Sequence, residues 1–176
     1  MLTSTESKDK VCPHHLERDA YLYVRQCIRQ MAGNQESTKR QYDLGQCAVA
    51  YGWSEEQIHV VDCDLGESGA STTRKGFNFL VSEVGLGRAG IVMGLEVSRL
   101  TRNSSDWHRL LEMCALSRTL ILVGEDIYDP TQVNDRLLLG LKETMSEAEL
   151  HVIRARLFGG MLNKAKPGEL RCRPHV

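Results

Sequence analysis

Aromatic residues make up only 6% of the 176 positions, prolines number 4, and the charges nearly cancel at 22 Lys+Arg against 23 Asp+Glu. Long apolar runs are missing as well, the longest being stretches such as Leu120 to Val123 and Leu137 to Leu139. Nothing here is long enough to span a bilayer. No apolar run lies near the N-terminus, so a secretory signal peptide is not expected either. The near-zero net charge argues against wholesale electrostatic binding of nucleic acid and leaves room only for a local basic patch. Six cysteines (Cys12, Cys27, Cys47, Cys63, Cys114, Cys172) include no C-x-x-C pair. With no export signal, thiols are expected in place of disulfides. What is present is 41% apolar residues, rich in Leu, Val, Ile and Ala, and 26% charged residues. That suffices for one ordinary core and predicts a soluble intracellular domain without a membrane partner.

Along the chain, positions 1–19 are polar without period and are expected to form a disordered leader. Ala20 to Gln26 reads as a strand. Gln35 to Tyr51 carries Tyr42, Leu44, Cys47, Ala48 and Tyr51 at helical intervals, with Gly52 as its stop. Ile58 to Asp62 reads as a strand, followed by a Gly/Ser-rich loop, Asp64 to Thr73. Arg74 to Val84 places Phe77, Leu80, Val81 and Val84 on one helical face. The alternation then repeats with a strand at Ala89 to Leu95, a helix at Ser104 to Leu116 and a strand at Thr119 to Val123. Such alternation predicts an α/β fold with a mainly parallel sheet flanked by helices.

A long helix is expected over 131–166, ended by Pro167-Gly168. Leu137, Leu141, Met145, Ala148 and Val152 form one apolar stripe, and Leu150, Ile153, Leu157 and Met161 a second, rotated by roughly 160°. The first stripe is expected to pack on the sheet domain and the second on a partner subunit, a kinked helix wrapping its own core being the alternative.

Ligands of open parallel sheets bind beyond the carboxyl ends of the strands. Arg25, Arg74, Arg99 and Arg102 all fall just after strands, and guanidinium geometry suits a multidentate phosphate clamp. On arrangement alone, solvated or salt-bridged surface arginines remain the alternative. Other motifs compete weakly. Gly85-x-Gly87-x-x-Gly90 has a dinucleotide spacing but precedes a strand, so it reads as a turn. Cys12-Pro13-His14-His15 hints at metal but lacks a second ligand pair, so no metal is assigned and the motif is read as leader. His59, His108 and His151 are isolated and read as packed or surface residues.

Several stretches resemble one family. Tyr23-Val24-Arg25-Gln26-Cys27 resembles the opening Y-x-R-x-S of the serine recombinases, the resolvase/invertase group. Gln35 to Leu44 resembles their first helix, with Gln41 in the usual glutamine place. Gly66-x-Ser68-Gly69 with Arg74-Lys75-Gly76-Phe77 resembles G-x-S-G…R-x-G-F, and Glu96 to Asn103 resembles the D-R-L-x-R block with Ser98 in place of Asp. Ser146 to Lys166 is similar to the long helix that closes the catalytic domain. The likeness runs from about Ala20 to Leu170 and is greatest to the large members of the family. It implies a resolvase-like fold over 20–130, a helix over 131–166 for dimerisation and DNA approach, and a basic, truncated linker over 167–176.

The resemblance also implies a chemistry. In the family a serine attacks a DNA phosphodiester, forms a 5′-phosphoserine link and releases a 3′-hydroxyl, with no cofactor and with arginines stabilising the phosphoryl charge. The matching residues here are Arg25, Gln41, Arg74, Arg99 and Arg102, and Cys27 stands where the nucleophile belongs. Gln30 follows Cys27 by three residues where the family has a four-residue spacing. The implied partners are double-stranded DNA and further copies of the chain, a homodimer that becomes a tetramer on synapsis, in a cytoplasmic, nucleoid-associated location. From Arg154 onward, Arg154, Arg156, Lys164, Lys166, Arg171 and Arg173 face only Glu169 as an acid, which suits weak, salt-sensitive tracking of phosphates. The alternative is a non-catalytic remnant that keeps the fold, dimerises and binds DNA weakly.

Overall fold

The computed structural model describes residues 8–24, 35–62, 74–101 and 103–145, with positions 149, 152, 155, 156 and 159; for 35–38 and 41 it describes the backbone alone. In chain order the helices are Pro13–Leu16 (α1), Gln35–Tyr51 (α2), Lys75–Gly85 (α3), Val97–Leu100 (α4), Ser104–Ser117 (α5) and Val133–Thr144 (α6). The strands are Asp19–Tyr23 (β1), Ile58–Val61 (β2), Ala89–Gly94 (β3), Leu120–Val123 (β4) and Asp126–Tyr128 (β5). Neighbouring side chains of a strand point to opposite faces of its sheet, and β1 buries both. Ala20, Leu22 and Val24 join one apolar cluster, while Tyr21 and Tyr23 join another. β1 accordingly lies inside the sheet, parallel to β2 on one side and β3 on the other, with Leu22 opposite Val60 and Met93. β3 runs parallel to β4, and β5 closes the order β2-β1-β3-β4-β5 as an antiparallel edge.

Helices cover both faces. Leu44 and Ala48 of α2, with Trp53, pack on Ala20, Leu22, Ile91, Met93, Leu120 and Leu122. α3 and α5 pack on the other face through Phe77, Leu80, Val84, Trp107, Leu110 and Cys114. Gly52 ends α2 at φ +120°, a conformation that suits glycine, and the Trp53 amide then bonds back to Ala48. This is the expected fold, mainly parallel and flanked by helices.

Three expectations are corrected. The leader is not disordered where it is described: α1 lies within it, His15 is buried, and Val11 and Leu16 pack on the α2-side core. Lys10 reaches across to the Asp135 carboxylate (2.8 Å) and the Ile127 carbonyl (3.1 Å). A polar stretch orders here because its few apolar residues find core surface and its cation finds two acceptors. The first stripe of the C-terminal helix is also misplaced. Leu137 of α6 is 65% exposed, whereas Leu139 is fully buried and Leu138 packs against the same core. Finally, β5 adds a hairpin strand after β4, reached through Gly124 at φ +66°.

The chain divides into two units, Met1–Leu139 and Gly140–Val176. In the second unit, positions 149, 152, 155, 156 and 159 are helical. Leu150, Ile153, Leu157 and Met161, the second stripe, lie outside the described residues. Among the described residues no helix is long and apolar enough to cross a membrane.

Candidate active site

Because β1, β2 and β3 are parallel, the segments that follow them leave from one edge of the sheet. Val24 extends β1 by donating its amide to the Val61 carbonyl (3.0 Å), and Tyr42 of α2 sets its hydroxyl 3.4 Å from Asp62, just past β2. The backbone of Gln41 is therefore brought to the carboxyl edge, one position before Tyr42. Arg25 and Cys27, and the Gly/Ser loop, lie outside the described residues.

Arg74 is the residue the structure defines most fully. It occupies the N-cap position of α3, where it follows β2 and its loop. Its Cζ lies 4.6 Å from the centre of the Phe77 ring, one turn along the same helix. Its Nη1 donates to Oδ2 of Asp106, in an ion pair whose side chains are only 14% and 24% exposed. The other terminal nitrogen, Nη2, is buried and has no hydrogen-bond partner among the described residues. Sequence reading passed over Asp106. The signal was nonetheless present: Asn103-Ser104-Ser105-Asp106 has the polar-x-x-acid spacing of a helix start, and the Asp106 amide does donate to Asn103 Oδ1 (2.8 Å).

Arg99 is set by α4. Gly94 ends β3, and a side chain there would collide with Leu100, whose Cγ would lie 2.6 Å from the added carbon. The absent Cβ lets the fully buried Leu100 seat α4 directly on the strand end. That fixes half-buried Arg99 beside the same sheet edge as Arg74. Arg74 and Arg99 thus both follow parallel strands, on the carboxyl side of the sheet. Arg102 lies outside the described residues, as do Arg154, Lys164, Lys166, Arg171 and Arg173; Arg156 is helical and exposed.

The Cys12-x-His14-His15 cluster sits elsewhere, at α1, with donor atoms within 4.8 Å of one another. Its geometry is that of a helix start. His15 Nδ1 accepts the Cys12 amide (3.0 Å), so that nitrogen is engaged within the fold. Of the other described thiols, that of Cys114 is pushed far above its ordinary range and that of Cys47 is also raised, both chiefly by burial. His59 pairs with Asp19 at 3.2 Å on the edge strand, consistent with a surface role.

Residues 20–170 match the family described as "Resolvase, N terminal domain". The chain belongs to the resolvase family. A protein of Sinorhizobium fredii (strain NBRC 101917 / NGR234) bearing the name "Uncharacterized protein y4bA/y4pH" is 63% identical over 169 residues. That alignment takes in 95% of this chain and 24% of the relative, so the chain spans about a quarter of its length. The N-terminal catalytic domain of TP901-1 integrase superposes with a TM-score of 0.51 at 19% identity, covering 77% of this chain and 98% of that one. A resolvase family site-specific recombinase from Streptococcus pneumoniae gives 0.49 at 22% identity, covering 85% and 99%. At such identity the TP901-1 likeness speaks for the fold alone. This chain therefore carries the catalytic-domain fold of resolvase-type serine recombinases.

Proposed function

We propose that the chain is the catalytic domain of a site-specific DNA recombinase, cutting and exchanging strands through a covalent protein–DNA intermediate. The observation that supports the reading is that Arg74 and Arg99 both follow parallel strands on the carboxyl side of a resolvase-type sheet. Metal-free phosphoryl transfer needs cations placed where charge gathers on the phosphoryl oxygens. Arg25 and Arg102 complete that clamp, Gln41 assists it, and Cys27 is the attacking group. Attack by the Cys27 thiolate forms an S–P bond and breaks the P–O3′ bond, and the departing 3′-oxygen takes up a proton. Reversal of the same step reseals the strand, so no external energy source enters. Arg154, Arg156, Lys164, Lys166, Arg171 and Arg173 supply sequence-independent phosphate contacts, and copies of the chain pair through Leu150 to Leu162.

The serine-to-cysteine difference at position 27 favours one second reading, a DNA-binding, self-associating relative without turnover. One experiment separates the two. The full chain is fused to a sequence-specific DNA-binding module and offered a nicked suicide duplex, which traps covalent adducts. An adduct that disappears in Cys27→Ala establishes a working cysteine nucleophile. No adduct from the parent, with Cys27→Ser producing one, establishes an intact clamp around an inert nucleophile. No adduct from either removes the recombinase reading.

A further inference from the structure

We infer that Asp106 is the positioning residue for Arg74, an assignment that rests on the function proposed above. A cation at a helix N-terminus is opposed by the helix dipole, so Arg74 at the N-cap of α3 needs an external hold. Asp106 supplies it from the first turn of α5, where an acid is favoured by its own helix. The Phe77 ring lies against the guanidinium, so the group is gripped at Nη1 and along one face.

The grip is asymmetric. A carboxylate facing an arginine commonly takes two parallel N–H groups, yet here Nη2 is buried with no acceptor among the described residues. Leaving a charged donor buried and unpaired is costly, and a pair selected for stability alone would close the fork. Asp106 also joins two segments. Its amide is held by Asn103, three residues past the end of α4, while its carboxylate holds Arg74.

Asp106 also cancels one positive charge. Removing it should leave non-specific attraction to DNA equal or stronger while weakening the chemical step. A merely structural residue would not produce that opposition. The test uses the fused full chain and the nicked duplex, in whichever form, Cys27 or Cys27→Ser, gives the adduct. Single-turnover adduct rates at saturating DNA, duplex affinity across salt, and thermal melting are compared for the parent, Asp106→Asn and Asp106→Glu. We expect Asp106→Asn to slow the saturated rate at least tenfold with affinity unchanged or tighter, and Asp106→Glu to recover part of the rate. If Asp106→Asn does not fold, Asp106→Ser takes its place with the same expected split. A saturated rate indifferent to Asp106, or a rate and affinity that fall together, overturns the positioning role alone. Absence of any adduct with Asp106 intact overturns the proposed function, and the positioning role falls with it.

Discussion

His15 shows how one buried ring couples the fold to acidity. Burial, reinforced by the neighbouring His14 and Arg18, lowers its pKa from 6.5 to about 4. In the unfolded chain the ring takes up a proton near pH 6.5, whereas in the folded chain it resists until about pH 4. Its contribution is therefore full above pH 6.5 and is lost as the pH falls towards 4, amounting to about 3 kcal/mol. The urea midpoint of the parent should fall over that window more steeply than that of His15→Gln; parallel curves would contradict this. Arg18 is held differently, by four backbone carbonyls, those of His14, Ala89, Ser117 and Arg118. Roles of this kind are not legible in a sequence, because they depend on which carbonyls the fold brings near. The placement of Arg74 and Arg99 after strands was legible in the sequence, whereas Asp106 was hidden behind a helix-start spacing that gives no hint of a distant cation.

The strands were readable because continuous apolar runs in a covered parallel sheet have few other uses, and β3 and β4 are buried throughout. β5 escaped notice because it has three residues and follows a Gly124-Glu125 turn without the usual Asn-Gly signature. In α6 the periodicity allowed more than one face, and only packing decides between them. Leu139→Ala should cost about 2–5 kcal/mol by opening a cavity, while Leu137→Ala should stay within about 0.5 kcal/mol. Chemical denaturation of both variants checks this; equal losses would restore the stripe that the sequence suggested. Sequence length alone likewise could not say which face of α6 meets the core, since Leu137 and Leu139 are equally apolar.

At the scale of the molecule, the match to the resolvase family begins at residue 20, but the folded structure begins earlier. Gly90 in β3 shows how closely the early segment fits: a side chain there would run into the His15 carbonyl oxygen. Gly90→Ala should thus be severely destabilising, and deletion of residues 1–18 should lower the denaturation midpoint by the equivalent of about 1–3 kcal/mol, from loss of the partly buried Val11 and Leu16. A shortened chain as stable as the parent would show that the segment is only attached. The Lys10–Asp135 bond spans 125 positions of sequence, so Lys10 must wait for a partner synthesised that much later. At about 5–20 residues per second, that wait on the ribosome is roughly 6–25 s. Through that interval Val11, Leu16 and the unpaired Lys10 are available to chaperones and proteases, so the yield of folded protein in a cell should respond to translation speed as well as to final stability.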